Sequence, residues 1–510
     1  MNCPVCDESL SEPLPISCPR CGKKNLKLDP TLIPSFDRIP EEVENRYLKW
    51  IRISRKFFKA KIQLEELLNE LSKIKEEIKF LKEDTLNELM ELLRFIISHD
   101  YSEEKAEKTG HIEAKPLSAI TTTDIKTLTV SKSGKGNYKS INKAIKKATP
   151  GSYILIKPGI YKEDLIIDKE LEIVGDGNLN EIVVESSDSN CITVKTDYAR
   201  IRGLTLRCNS KYPAISIPYG KILIEDCDIS SISSSGVSIY GTDSNPLIRR
   251  CRIHSNKQNG ISIFENAKAR IENCLIYNNQ LAGIEIKDQA NPTIRHCKIN
   301  NENKYGIYLT ENSKGTIEYC DIFENLVSGI ETRENSNPSV KRCNIFNNQQ
   351  TGLFFTENSQ GTIENTNIYE NNLSGVELRK GSNPIFSECQ IYSNQRYGVL
   401  IDENSLGVIE NTNIFSHKMP CIEIRDNSNP SLIGCRVYNS EDSGILIHKE
   451  AKGKIEDCDI YSNNKSGISI SKGSSPIIRN SRFYDGKSSG ITINKKSQAT
   501  IEGCDIFRNS

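Results

Sequence analysis

The chain has 510 residues, and 67 Lys and Arg balance 67 Asp and Glu, so its formal net charge is zero. This balance gives no overall case for a nucleic-acid partner, and no stretch reaches the ~20 apolar residues of a membrane span. The first residues, MNCPVCDESL, lack an apolar run of signal-peptide length. We therefore expect a cytoplasmic protein whose 17 cysteines are metal ligands or buried thiols rather than disulfides.

Residues 1–40 contain two paired-cysteine motifs, CPVC and CPRC. Two such pairs can bring four thiolates to one tetrahedral zinc ion, and so short a segment would need the metal in order to fold. The segment resembles a small zinc ribbon, which implies a structural Zn²⁺ site without catalysis; a redox-active CxxC pair is the alternative. The predicted zinc ligands are Cys3, Cys6, Cys18 and Cys21.

Residues 41–100 contain neither proline nor glycine, and leucine and isoleucine recur in steps of three and four from Leu64 to Leu81. This spacing predicts a long helical region that forms either a parallel coiled-coil dimer or an antiparallel hairpin. Residues 41–100 could thus carry a homo-oligomer contact. The basic stretch KWIRISRKFFKAK (49–61) leaves nucleic-acid binding as a weaker alternative. A polar linker follows at 101–127.

From there to residue 510 the chain is repetitive. One position, nearly always glycine, returns every 23 residues after a first step of 24. A fixed period in this range is typical of a solenoid, and each copy holds three short alternating segments that suit strands better than helices. Stacked in register, they would form a parallel β-helix. The repeated position is Gly236, Gly260, Gly283, Gly306, Gly329, Gly352, Gly375, Gly398, Cys421, Gly444, Gly467 and Gly490.

Other positions recur at the same period, and each has a physical reason in a stacked coil. A cysteine column in which Thr366, Thr412 and Ser481 stand in for Cys predicts a small buried residue, not thiol chemistry. An asparagine column predicts hydrogen bonds from one turn to the next. A third column alternates in charge, from Arg249 and Glu272 onward, and predicts ion pairs that oppose a one-turn slip of register.

These copies resemble the PbH1 repeats of right-handed parallel β-helices, the pectin-lyase-like superfamily, over about 190–510. Residues 128–177 resemble the opening of pectin methylesterases, which implies a first strand and a capping helix at about 137–148. The resemblance thus implies a mainly β fold with a β-helix domain at 128–510, about sixteen turns and ~75 Å long. It also implies a structural role for GIYKE, Gly159 to Glu163.

The sequence favours no reaction. None of the later catalytic motifs of the pectin methylesterases or polygalacturonases is present, and the pairs Asp226/Asp228 and Asp457/Asp459 occupy ordinary repeat positions. The histidines fall in different columns without a partner set, so we expect no catalytic residues. These histidines are His254, His296, His417 and His448.

An aromatic column is the candidate binding surface. If its rings face outward, they form a platform for sugar rings or a peptide; otherwise they stack on one another at a corner. The candidate binding residues are Tyr277, Phe323, Phe346, Tyr369, Tyr392, Phe415, Tyr438 and Tyr461, and Tyr484 and Phe507 extend the column.

The sequence thus predicts a non-catalytic intracellular scaffold that presents a β-helix surface to a protein or glycan partner. The alternative is a carbohydrate-binding or polysaccharide-modifying protein, as the resemblance to the superfamily implies. A cleft lined by several carboxylates on one face would favour the alternative, and a uniform surface would favour the scaffold.

Overall fold

The computed structural model describes residues 127–510. The predicted zinc ribbon, the helical region and nearly all of the linker lie outside the described residues, and so do Cys3, Cys6, Cys18 and Cys21. Residues 127–510 form a parallel β-helix of about seventeen turns, each of roughly 23 residues, as the period predicts. No helix in this part of the chain is long and apolar enough to cross a membrane.

Each turn contributes one strand to each of three sheets, which we number in the order in which a turn visits them. Sheet 1 has 15 strands: Leu165–Ile167, Ile192–Val194, Ile215–Ile217, Val237–Tyr240, Ile261–Phe264, Ile284–Ile286, Ile307–Leu309, Ile330–Thr332, Leu353–Phe355, Val376–Leu378, Val399–Ile401, Ile422–Ile424, Ile445–Ile447, Ile468–Ile470 and Ile491–Ile493. Sheet 2 has 17 strands: Thr127–Val130, Ser152–Ile156, Leu171–Gly175, Arg200–Arg202, Leu223–Glu225, Leu247–Arg249, Arg270–Glu272, Thr293–Arg295, Lys314–Glu318, Asn337–Lys341, Thr362–Glu364, Ile385–Ser387, Val408–Glu410, Ser431–Ile433, Lys454–Glu456, Ile477–Arg479 and Thr500–Glu502. Sheet 3 has 16 strands: Gly159–Lys162, Ile182–Ser186, Thr205–Cys208, Asp228–Ser231, Arg252–His254, Leu275–Tyr277, Lys298–Asn300, Asp321–Phe323, Asn344–Phe346, Asn367–Tyr369, Gln390–Tyr392, Asn413–Phe415, Arg436–Tyr438, Asp459–Tyr461, Arg482–Tyr484 and Asp505–Phe507.

Equivalent repeat positions lie directly over one another. In sheet 1, for example, Ile330 pairs with Leu353 and Leu353 with Val376. All strand pairs of this kind are parallel, and the inward aliphatic side chains of successive turns form one continuous buried core. A shift by one residue would turn every inward side chain outward, so the hydrophobic pattern fixes the register.

Helix α1, Ile141–Lys147, covers the first turns of the coil with the buried side chains of Ile141, Ala144 and Ile145. The Glu163 carboxylate accepts hydrogen bonds from the amides of Ile141 and Asn142 at 3.1 and 2.9 Å, which satisfies two free N–H groups at the helix start. The helix is shorter than the predicted 137–148, and the structural role expected for Glu163 is that of a helix cap.

The corner columns have the predicted roles. Between sheets 3 and 1, asparagine carboxamides bond from turn to turn, as in Asn325 Nδ2 to Asn348 Oδ1 at 2.9 Å. The thirteen described cysteines are free thiols; those of the cysteine column bond backbone carbonyls, as Cys320 Sγ does with Glu318 O at 3.3 Å. Glycine is favoured at the repeated position because a Cβ on Gly329 would lie 2.8 Å from the Gly352 carbonyl oxygen, although Cys421 replaces it in one turn.

Candidate functional site

The predicted aromatic column lies on sheet 3, and its rings stack on one another. From Phe323 to Phe507, neighbouring ring centroids are 4.8–5.2 Å apart and the planes differ by at most 9°. Asn300 interrupts the column, and Tyr277 stacks on His254 instead. The faces of most rings are therefore covered by the next ring, so a ligand here would meet ring edges and hydroxyl groups. The binding role of these residues stays a prediction.

The charge-alternating column runs along sheet 2 and forms the predicted ion pairs. Arg295 Nε lies 2.8 Å from Glu318, and Lys341 Nζ lies 3.0 Å from Glu364, each in the next turn. These side chains are partly exposed, so each pair adds little free energy of folding, but a slip by one turn would place like charges together. This face is explained by structure alone.

The outward face of sheet 1 has a different pattern. At the middle position of its strands, an acid and an apolar or aromatic residue alternate over eight turns, whereas the flanking turns carry Ser or Thr there, as in Ser262 and Ser469. The flanking turns show that this sheet can form without such acids. The alternating residues are Glu285, Tyr308, Glu331, Phe354, Glu377, Leu400, Glu423 and Leu446.

In an ordinary copy of this pattern, a serine and an arginine of the same turn contact the glutamate, and Glu377 also accepts a hydrogen bond from Thr351 Oγ1 of the preceding turn at 3.4 Å. Ser374 Oγ donates to Glu377 at 2.8 Å, and Arg379 Nη2 lies 3.1 Å from the same side chain. The same arrangement recurs one two-turn unit earlier, where Glu331 bonds Ser328 and Arg333. These two copies show that a structural acid on this sheet is held by a serine and an arginine of its own turn.

The copy at 420–425 departs from it. Pro420 occupies the serine position and has no hydroxyl, so Glu423 is bonded from the two neighbouring turns instead. His448 Nε2 lies 3.0 Å from Glu423 Oε1, and the Tyr397 hydroxyl bonds the same carboxylate. Arg425 Nη1 lies 3.0 Å from Glu423 Oε1 as well. Three turns of the coil thus converge on one carboxylate, whose side chain is only 5% exposed.

Arg425 links this carboxylate to a second one. Its Nη2 lies 2.6 Å from Asp402 Oδ2, and Asp402 is 4% exposed. Burial acts to raise the pKa of both acids, but the hydrogen bonds and charge of Arg425, with His448 and Tyr397 at Glu423, outweigh it and hold each pKa below its usual range. We call Tyr397, Asp402, Glu423, Arg425 and His448 the acid–base cluster.

The cluster has the parts of an acid–base site. The ionised Glu423 accepts from His448 Nε2–H, so the tautomer that fits this bond leaves Nδ1 as the proton-accepting nitrogen. A carboxylate that orients an imidazole in this way produces a competent general base. Burial, and then the charge of Glu423, raise the pKa of Tyr397, which keeps its hydroxyl as a neutral donor.

The acid–base cluster is not apparent in the sequence when each column of repeat positions is considered separately. The signals were Pro420 in place of serine, and His417 and Cys421 in place of the column asparagine and glycine. His417 joins the asparagine ladder, where it accepts from Asn394 N at 3.2 Å. The expectation that the histidines lack partners is wrong for His448, and also for His254, which lies 3.1 Å from Asp228 Oδ1.

Asp226, Asp228 and Asp459, three of the four acids singled out in the sequence, have structural partners. Asp226 accepts from Nε of both Arg202 and Arg250 at 2.8 Å. Asp459 is paired with Arg482 at 2.6 Å. Within 127–510, no group of three His, Cys, Asp or Glu side chains is placed to hold a metal ion.

A parallel β-solenoid with one specialised outward face is the class of protein that this fold and site define. The chain belongs to the family described as the right-handed β-helix region, which matches residues 190–326, 235–390 and 374–510. This match confirms the fold resemblance drawn from the repeats.

Individual relatives are more distant. A putative pectinesterase/pectinesterase inhibitor 45 of Arabidopsis thaliana is 41% identical over 97 residues, which cover 15% of this chain and 15% of the relative. Among solved structures, the periplasmic alginate epimerase AlgG covers 72% of this chain and 83% of its own at 12% identity and a TM-score of 0.41. The AlgE6 A-module of the Azotobacter vinelandii mannuronan C-5 epimerase covers 72% and 93% at 12% identity and 0.38. Pectate lyase Pel9A covers 75% and 79% at 13% identity and 0.27.

Proposed function

We propose that the protein binds a polysaccharide along the outward face of sheet 1 and modifies it by acid–base chemistry at the acid–base cluster. The observation that carries this proposal is the convergence of Tyr397 and His448, from two different turns, on Glu423. Around the structural Glu377, Thr351 takes the position of Tyr397 and also bonds the acid, but Asp402 takes the position of His448, so the histidine distinguishes Glu423. The name of the pectinesterase relative supports a carbohydrate as the ligand class.

Each residue of the cluster has a distinct part in this proposal. His448 Nδ1 would accept a proton from a bound sugar hydroxyl, a ring carbon or a water molecule, and Glu423 would stabilise the resulting imidazolium. Tyr397 donates its hydroxyl proton to Glu423, and its hydroxyl oxygen would accept a hydrogen bond from a sugar hydroxyl. Arg425 and Asp402 hold Glu423 in place and keep it ionised, so they are positioning residues.

Apolar side chains lie directly beside the cluster. Leu400 and Leu446 pair with Glu423 from the turns before and after it, and Phe354 lies two turns before Leu400. Leu400 is buried, whereas Leu446 and Phe354 are partly exposed and can meet a ligand. Such surfaces fit the apolar faces of sugar rings, while the polar groups between them would form hydrogen bonds with the hydroxyl groups of the sugars. A chain of sugars that lies along the coil axis would pass over all of them.

The test is a panel of polysaccharides screened with the full-length protein for binding and for product formation. We expect H448Q to reduce turnover by about 10²–10⁴-fold, the range for loss of a general acid or base, and Y397F, which removes one hydrogen bond to Glu423, to reduce it about tenfold. Matched controls are H254Q, which alters a histidine–carboxylate pair on sheet 3, and Y438F, which removes a hydroxyl from the aromatic column. Neither control should change turnover.

A different pattern would refute the proposal. If no polysaccharide binds, or if H448Q and H254Q behave alike on every ligand that does, the acid–base cluster is structural. The predicted non-catalytic scaffold would then be favoured by capture of a protein partner whose binding is lost on substitution of exposed residues of sheets 2 or 3.

A further inference from the structure

We infer that the glycan bound on sheet 1 carries amino groups, as a polymer of glucosamine does, and is not a uronic acid polymer. This inference rests on the proposed function and names the substrate class of the same site. It follows from the charges along the path that a glycan would take toward the acid–base cluster.

That path is strongly acidic. We define the acidic strip as three outward positions in each of eight turns, from Gly260 to Asp426: the middle strand residue, the residue after the strand and the first turn residue. It holds twelve acids and five bases. The first turn residue alone is acidic in seven of the eight turns. These turn residues are Glu265, Asp288, Glu311, Glu334, Glu357, Lys380, Glu403 and Asp426.

The five bases of the strip neutralise the acids with which they are paired, which leaves an excess of seven acids. Lys287 lies 3.8 Å from Glu285, Arg333 contacts Glu331, and Arg379 lies 3.1 Å from Glu377. Lys380 lies 3.3 Å from Glu357, and Arg425 lies 2.6 Å from Asp402. An anionic glycan would therefore meet uncompensated carboxylates along the whole strip.

Sheet 2 shows how charged side chains are arranged where they serve only to stabilise the fold. On sheet 2, acid and base alternate from turn to turn, and the resulting pairs stabilise the stack, as Arg295 and Glu318 do. In the acidic strip, five acids from Glu265 to Glu357 follow one another at the ~4.8 Å spacing of adjacent strands. Such a column is repulsive by itself, and a row of ammonium groups would remove the repulsion.

The strip also ends at the acid–base cluster. The next turns carry lysine at the same turn position, Lys449, Lys472 and Lys495, so the sign of the charge changes there. Within the strip, Tyr308 and Phe354 stand beside the acids at every second turn, and the stacked ring of Tyr305 covers one face of Tyr308. An aromatic face next to a carboxylate suits a sugar with an apolar ring face and an ammonium group. A cationic glycan would thus lie on the acidic turns with one end at the cluster.

The experiment compares oligomers of equal length made of glucosamine, N-acetylglucosamine or galacturonate, with the full-length protein at mildly acidic pH. We expect the glucosamine oligomer to bind at least tenfold more tightly than the acetylated one, with an affinity that falls as salt rises. The galacturonate oligomer should not bind. Equal affinity for the acetylated oligomer, or tighter binding of galacturonate, would overturn the inference.

A triple variant locates the effect. D288N/E311Q/E334Q removes three consecutive carboxylates of the strip, four to six turns from Glu423. It should weaken binding of a long glucosamine polymer about tenfold and leave a short oligomer at the cluster unaffected. The matched control E324Q/E370Q/E388Q changes three exposed glutamates with the same left-handed backbone at other corners, and should have no effect.

The two proposals fail in different ways. If only acetylated or uronic acid oligomers bind and H448Q still abolishes turnover, the inferred charge of the glycan is wrong, but the acid–base cluster remains the proposed site. If the triple variant and its control weaken binding of the polymer equally, the acidic strip does not select the ligand. If none of the three oligomers binds, the inference is refuted, and the polysaccharide panel decides on the proposed function separately.

Discussion

Glu302 gives the sharpest stability prediction because it replaces asparagine in the ladder between sheets 3 and 1. It is 1% exposed, and its carboxyl oxygens accept from the amide and the side chain of Asn279 at 2.6 and 3.0 Å. Burial raises its pKa from 4.5 to about 8, against the smaller lowering effect of the Asn279 hydrogen bonds. We propose the variant E302N, which restores the ladder residue.

The magnitude follows from linkage. In the unfolded chain Glu302 loses its proton near pH 4.5, but in the folded chain it keeps it to about pH 8. Between these values the folded state binds more protons, so stability falls as pH rises, by about 1.4 kcal/mol per unit. The upper bound of the total loss is ~5 kcal/mol. Below pH 4.5 the penalty is absent.

An asparagine would satisfy the same groups without this cost. In the neighbouring turn, Asn279 Oδ1 alone accepts from both the amide and the side chain of Asn256, at 3.1 and 2.7 Å. We therefore expect E302N to be more stable than the wild type by a few kcal/mol above pH 8, and to differ little below pH 4.5. The exposed E324Q is the control and should leave the pH profile unchanged.

The assay is urea unfolding at several pH values, with hydrogen exchange of the turns around residue 302. Exchange is needed because a solenoid can open turn by turn, and a single global midpoint would average this out. If the wild type and E302N keep parallel profiles across pH 4.5 to 8, Glu302 is not the buried neutral acid described here.

Three further predictions concern other positions. Burial lowers the pKa of His417 from 6.5 to about 4, so stability should fall by up to ~3 kcal/mol as pH drops through this range, and H417N should abolish that loss in melting curves. Y392A removes two ring stackings, with Tyr369 and Phe415, and should cost ~1–3 kcal/mol of unfolding free energy, whereas Y392F should cost little; equal losses would contradict the stacking argument. The N-terminal segment should bind one zinc ion per chain by elemental analysis, and serine substitution of its ligands should abolish binding; metal retained by the fourfold variant would exclude Cys3, Cys6, Cys18 and Cys21.

The fold was predictable from the sequence because stacking places residues that are spaced by one period along the chain in contact with one another. Residues 23 apart in the chain lie one strand spacing apart in space, so a column in the alignment of copies is a column in the molecule. The cysteine, asparagine and aromatic columns could each be given a physical role from the sequence alone. The extent of helix α1 was less accessible, because it occurs once and has no copies to compare with.

The acid–base cluster was not predictable by the same reasoning. Its members come from three turns and three different repeat positions, so Tyr397, Glu423 and His448 appear unrelated when columns are read singly. The usable signal was a missing group: Pro420 removes the hydroxyl that the equivalent Ser328 and Ser374 provide. Ala282 also lacks this hydroxyl beside Glu285, but that side chain is 19% exposed, whereas the Glu423 side chain is 5% exposed and is bonded by His448 instead.

The departures around Glu423 are concentrated in a few turns and compensate one another. His417 replaces a ladder asparagine yet accepts from Asn394 N, and the small Ser440 in the next turn contacts Cys421, which replaces the glycine. Because each turn of a solenoid contacts only its neighbours, such changes can be contained locally without disturbing the stack. Packing alone would not explain why the outward side of the same turns carries two buried, ionised acids, an arginine and a histidine. A site that needs these groups does explain it, and it also explains why the altered turns adjoin the end of the acidic strip.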